Sequence, residues 1–169
     1  MLEKSRVVQQ SQGERSFHIF YQLLAGASSS EKSSLRLSGP DAFKFLNQSG
    51  SYTVEGVKDA EEFKHTVHAM SIVGIPSGEQ QEIWRLIAGI LHLGNLTFKA
   101  KGNGTEVSES RDLDFVASLF GTNGKTLESC LCNRHVSRGG PRASSYQVPL
   151  KPEEAAYSRD ALAKAIYSR

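Results

Sequence analysis

The sequence predicts a mainly α-helical domain carrying a few short β-strands, on three observations. Phe17, Phe20, Tyr21 and Leu24 recur at i, i+3, i+4 and i+7, one buried face of a helix. Ile83, Trp84, Ile87, Ile90 and Leu91 form an apolar arc too wide for a surface helix, so that helix belongs at the centre. Further on, Tyr146 and Val148 alternate with polar residues behind Gly139-Gly140-Pro141, the pattern of a hairpin.

Taken in order, Leu2–Val8 ends in two valines and reads as a short strand, and the polar 9–13 leads into a helix over Glu14–Leu24. The serine-rich Ser28–Ser34 reads as a surface loop. Asp41–Leu46 is expected to be a short helix after Gly39-Pro40, and Gly50–Gly56 a turn or short extended piece. Asp59 with Glu62, and Ser77 with Gln80, have capping-box spacing. The first opens a helix with Phe63, Val67 and Met70 on its face, stopped by Gly74; the second opens the central helix, stopped near Gly94-Asn95. Leu96–Phe98 looks extended, and the polar Lys99–Arg111 looks like a mobile loop. Short helices are expected over Asp114–Phe120 and Thr126–Cys132. The hairpin then pairs Arg134–Ser137 with Ser145–Leu150. Pro152 in a first turn, with Glu153 and Glu154 behind it, opens a last helix with Ala155, Leu162, Ala165 and Ile166 as its apolar positions. With no terminating residue before Arg169, that helix is expected to continue past a cut end. No internal repeat or low-complexity tail breaks the chain, which predicts one unit.

Composition narrows the function classes. A chain of 169 residues with 38% hydrophobic and 22% charged residues falls in the soluble globular class. No apolar run approaches the roughly 18 residues that span a bilayer, and MLEKSRVV lacks the apolar stretch of a secretory signal. A net charge of +2 without an aromatic-basic stripe points away from nucleic acid. Cys130 and Cys132 are one residue apart and too poorly directed for a mutual disulfide, so two free thiols of an intracellular protein are expected. The sequons at Asn47, Asn95 and Asn103 are then chance matches.

Chemistry-bearing motifs are scarce. The sequence contains no G-x-x-x-x-G-K-[ST] phosphate loop, H-E-x-x-H or G-x-S-x-G. Glu61-Glu62 and Glu153-Glu154 sit where first-turn carboxylates complement a helix N-terminus. His65 and His68 share a helix face without a third ligand, and His18 and His92 fall in packing positions. No catalytic, cofactor-binding or metal-binding residue is therefore assigned. One constellation stands out: Arg142-Ala143-Ser144-Ser145-Tyr146 sets a serine two residues after an arginine and two before a tyrosine. A basophilic kinase reads such an arginine, and phosphate would add nearly two negative charges in a segment with Arg134, Arg138 and Arg142. The plainer reading is a polar turn with scattered arginines.

LEKSRVV, GERSFHIFYQLL, EEFKHTVHAMSIVGI, LIAGILHLGNLTF and SRDALAKAIYSR, in this order from Leu2 to Arg169, resemble successive landmarks of the myosin motor domain. The resemblance implies a partial P-loop NTPase-type (kinesin/myosin) motor. Residues 1–169 would be an interior piece of the upper 50-kDa subdomain, between switch I and switch II. It implies ATP and Mg2+ in the intact parent, bound outside this piece, and an actin-activated ATPase to which the piece alone contributes no turnover. Actin filaments are the implied partner, with light chains or calmodulin on an absent neck. The implied location is the cytoplasmic actin cytoskeleton, with a tail that could reach the cell cortex. Residues 134–150 are similar to the actin-facing cardiomyopathy-type loop, here Arg134, Arg138, Gly139, Gly140, Pro141, Arg142, Ser144 and Ser145. The family places an acidic or phosphorylatable residue sixteen positions before the aspartate of DALAK; from Asp160 this is Ser144. Ser144 resembles the target of p21-activated-type kinases in amoeboid and fungal class I myosins, with Arg142 and Tyr146 as recognition residues. The competing expectation is a free-standing, non-catalytic helical module that binds actin or another partner.

Overall fold

The computed structural model describes residues 3–137 and 145–168. The chain folds as two compact units rather than one: Met1–Asn95 with Ala163–Arg169, and Leu96–Leu162. The boundary falls at the end of the central helix, with no proline- or glycine-rich linker to announce it.

In the first unit, Lys4–Val7 is a 3-10 turn and not a strand, with Arg6 N–H bonded to Glu3 O and Val8 N–H to Ser5 O. Val7 and Val8 are both buried. Helix α1 is His18–Gly26, shorter than expected because Arg15 and Ser16 are occupied by side-chain contacts before it starts. Phe20, Tyr21 and Leu24 are buried as the spacing requires, joined by Leu23, while Phe17 is half-buried. The predicted loop at Ser28–Ser34 is instead helix α2, Ser29–Ser34, capped by Ser28. Only Pro40–Ala42 of the expected helix over Asp41–Leu46 is helical, as a 3-10 turn; Phe43 is extended, and Phe43, Phe45 and Leu46 enter the core.

Helix α3 is Asp59–Ile72 and α4 is Ser77–Asn95. Neither predicted capping box forms. Asp59 is the first helical residue behind Lys58, and its carboxylate goes to Arg15. Gln80 is buried and donates to Ser71 Oγ at 3.1 Å and Ile75 O at 2.9 Å, fixing the turn between the helices. Gly74, at φ 87°, ends α3 with its N–H on Ser71 O and the Ile75 N–H on Met70 O, a Schellman closure. Trp84, Ile87, Ile90 and Leu91 are buried along α4, and Ile83 is half-buried. At its end a Cβ on Gly94 would meet the Phe45 ring at 2.7 Å. Asn95 accepts the Lys44 N–H and donates to Ala42 O, both at 2.8 Å. That amide is committed to structure. His92 packs as expected, edge-on to Phe43 and with Nε2 2.9 Å from Leu35 O, whereas His18 is exposed.

The second unit opens on a hairpin where the polar sequence predicts a mobile loop: β1, Phe98–Lys101, pairs antiparallel with β2, Gly104–Val107, Phe98 opposite Val107. Helices α5, Ser110–Leu119, and α6, Gly124–Cys132, follow, burying Leu113, Val116, Leu127 and Leu131. Strands β3, Asn133–Ser137, and β4, Ser145–Pro149, form the second hairpin close to the predicted bounds. Helix α7 is Pro152–Tyr167; Ala155 and Ala163 are its buried positions, Leu162 and Ile166 are half-buried and Ala165 is exposed.

One polar contact lies inside the first unit. Arg15 Nη2 is 2.8 Å from Asp59 Oδ2, with the two side chains 4% and 14% exposed. The guanidinium lies 3.8 Å over the Tyr21 ring. The Tyr21 hydroxyl accepts the Ser16 N–H, and burial raises its pKa against the pull of that bond and of Arg15. Removing one member of a buried ion pair leaves the other charge uncompensated, at a cost of roughly 3–5 kcal/mol. Arg15→Met should therefore lower stability by about that amount. In urea unfolding, Arg15→Met/Asp59→Leu should be less destabilised than the sum of the single variants.

Candidate functional site

Among the described residues, the part of the candidate loop that can be placed is a two-stranded ribbon held at its base. Helix α6 starts where Asn123 Oδ1 accepts the Thr126 N–H at 2.9 Å, and it buries Leu127, Leu131 and Cys132. It passes directly into β3, and Asn133 Nδ2 donates back to Ser129 O at 3.2 Å. The return strand closes against the same helix end, the Leu150 N–H bonding to Cys132 O at 2.9 Å. Thr105 Oγ1 donates to Leu150 O at 2.7 Å, and Glu128 accepts the Val107 N–H at 3.0 Å. The second hairpin is thereby tied to β2 and α6. The Lys151 N–H donates to Glu154 at 2.8 Å as α7 begins, and Arg159, paired with Asp160 at 2.7 Å, donates to Leu96 O at 2.9 Å.

Register sets the two faces of the ribbon. Arg134 lies opposite Val148 and Val136 opposite Tyr146, so these four share one face; His135 and Gln147 share the other. Arg134, His135, Tyr146 and Gln147 are exposed, Tyr146 at 47%. A two-stranded ribbon with solvent on both faces is marginal alone, so its order comes from the base contacts. Two of the residues singled out by sequence, Arg134 and Tyr146, thus fall on one face, and the Ser145 backbone pairs with Ser137. Arg138, Gly139, Gly140, Pro141, Arg142 and Ser144 lie outside the described residues. Thr105, Glu128 and Arg159, which anchor the ribbon and its flanking elements, carried no motif. Each acts on a backbone group 21 or more positions away, which local spacing does not disclose.

Elsewhere several cations are ion-paired. A cavity of about 720 Å³ is lined by Arg6, Gly13, Glu14, Arg15 and Tyr167 among others. There Arg6 pairs with Glu14 at 3.3 Å, and Arg15 with Asp59. Glu106 takes both Lys99 and Lys101; the Lys101 bond in particular holds its carboxyl below the usual range and pushes the lysine up. Glu61 pairs with Lys58, and Glu62 with His65 at 3.4 Å. Among the described residues no three His, Cys, Asp or Glu side chains converge as a metal site, and no helix is long and apolar enough to cross a membrane.

The described residues are thus mainly helical with two small antiparallel hairpins, the second of which is the ribbon between α6 and α7. The chain belongs to the myosin head (motor domain) family, whose sequence model matches residues 1–169. It is 49% identical to the myosin ID heavy chain and 47% identical to the myosin IA heavy chain of Dictyostelium discoideum, and 46% identical to the myosin heavy chain IB of Acanthamoeba castellanii. Each alignment covers 100% of this chain and 16%, 18% and 14% of those relatives respectively. The chain therefore spans about a sixth of the length of the curated relatives it matches.

The cysteines are free, Cys130 exposed and Cys132 buried, in agreement with the sequence expectation that they do not pair. Burial, with Glu128 and Glu106 adding to it, pushes the Cys132 thiol up to about 11. A raised folded pKa means that the unfolded chain loses this proton first as pH rises. The thiol's contribution to stability is complete below about pH 9 and is lost as pH climbs through about 11. Iodoacetamide at mildly alkaline pH should alkylate Cys130 and leave Cys132 unmodified until the chain is unfolded, as read by peptide mass spectrometry.

Proposed function

We propose that this chain is an interior part of a class I myosin motor, an actin-activated ATPase, and that its ribbon faces the filament. In this reading residues 1–169 belong to the upper 50-kDa subdomain, between switch I and switch II of a P-loop NTPase-type motor. The family match over the whole chain carries the reading. The class I heavy chains among its relatives support the class, and a ribbon whose described strands expose Arg134, His135, Tyr146 and Gln147 suits a contact surface.

Mg2+ and ATP act in the intact motor, supplying phosphoryl transfer to water, and no residue of this chain is assigned to them. The chain's own part is to present residues 134–150 to actin, an expectation for the segment and for light chains or calmodulin on the neck alike. The class I heavy chains also support a cytoskeletal location.

Ser144 is the regulatory residue of this reading. A p21-activated-type kinase would phosphorylate it, using Arg142 and Tyr146 for recognition. Actin's outer surface is acidic, so Coulomb repulsion alone has the phosphate weakening contact. The proposed gain comes from charge-assisted bonds to Arg134, Arg138 and Arg142, or to a basic patch on actin, which order the loop for docking. Arg134 is exposed on the strand that leads into this segment. In the full motor, Ser144→Glu should show higher actin-activated ATPase than Ser144→Ala, with equal basal rates. Equal actin-activated rates for the pair would sink the phosphoacceptor role.

A further inference from the structure

The serine-rich stretch read from sequence as a plain loop is an ordered cap. Ser28 Oγ accepts the Glu31 N–H at 3.3 Å and donates to the Glu31 carboxylate at 2.6 Å, while that carboxylate accepts the Ser28 N–H at 2.8 Å. Ser28 is exposed. Serine followed three residues later by glutamate is a capping box, and it is also the pattern an acidophilic protein kinase reads, because the acid at that position meets the kinase's basic subsite. Ser28 and Glu31 line a groove of about 520 Å³ whose facing wall, on α3, includes Lys64 and His68. Neither of these two exposed side chains has a carboxylate partner among the described residues.

We propose that Ser28 is a phosphoacceptor for an acidophilic protein kinase, and that its phosphate is received by Lys64 and His68 across this groove. The site is independent of the ribbon and of the functional reading above. In the reaction Ser28 Oγ forms a bond to the γ-phosphorus of ATP, the bond from that phosphorus to the β,γ-bridging oxygen breaks, ADP leaves, and the hydroxyl proton passes to the kinase's base. The product cannot keep the box. A phosphate carrying nearly two negative charges repels the Glu31 carboxylate that now sits 2.6 Å from Ser28 Oγ. Its three oxygens are acceptors, and Lys64 and His68 are donors that line the same groove. Modification therefore exchanges a contact within α2 for one that clips the start of α2 to α3.

The test incubates the intact protein carrying this sequence with ATP and an acidophilic kinase, then maps phosphate by mass spectrometry. Phosphate should appear on Ser28, be lost in Glu31→Gln, and be kept in Glu31→Asp. Glutamine can still cap but carries no charge, so this pair separates kinase recognition from helix capping. In the phosphorylated protein, Lys64→Ala/His68→Ala should shift the titration of the ³¹P resonance to higher pH, since the lost donors no longer favour the doubly charged phosphate. Phosphate confined to Ser29 or Ser30, or none on this segment, would overturn the acceptor. A ³¹P titration identical with and without Lys64 and His68 would overturn the receiving pair.

Discussion

The first unit depends on a charge pair that ordinary packing rules discourage. Arg15, ahead of α1, and Asp59, at the start of α3, bring opposite charges out of water, and only one short contact joins them. Arg15 Nε and Nη1 and Asp59 Oδ1 have no hydrogen-bond partner among the described residues. Such a pair contributes little net stability, because desolvation offsets most of the attraction. Its consequence is placement. Once buried, neither charge tolerates the other's absence, so the α1 entry and the α3 entry are held in one register. The Tyr21 ring under the guanidinium and the Phe63 ring, 5.0 Å from Trp84, pack within that frame.

The ribbon in the second unit follows the opposite logic. Among its described residues none is fully buried, and backbone bonds hold the two ends where β3 leaves α6 and β4 returns. Thr105 reaches the return end at Leu150 from β2, and Glu128 of α6 holds β2 through the Val107 N–H, so the first hairpin acts as a brace for the second. A fixed base with exposed side chains on both described strands suits a contact surface: the base fixes where the ribbon starts, and Arg134, His135, Tyr146 and Gln147 are open to a partner.

What was legible in the sequence was what depends on periodicity. The α1, α3 and α4 faces, the Gly74 stop and the β3–β4 pairing all follow from apolar spacing or from turn residues close by in the chain. Failures arose where a side chain was claimed from far away. Asp59 looked like a cap and was taken by Arg15, 44 positions earlier; Gln80 looked like a capping partner and was drawn into the turn before it. The β1–β2 hairpin was missed because its strands hold lysines and a glutamate in place of alternating apolar residues, and Glu106 binds both lysines. Ser28–Ser34 was misread because serine content suggests a loop, while the reciprocal Ser28–Glu31 bonds make a helix of it. For the candidate site, sequence predicted the pairing of the two strands but neither the shared face of Arg134 and Tyr146 nor the anchors that hold those strands.

The central claim is that the ribbon meets the filament. Hydroxyl-radical footprinting of the intact motor, with and without filamentous actin in the absence of nucleotide, tests it most directly. The account predicts that Arg134, His135, Tyr146 and Gln147 become protected on actin binding, while the exposed Ile72 and Val73 at the end of α3 keep their reactivity. Unchanged reactivity along both strands of the ribbon in actin-saturated samples would contradict it.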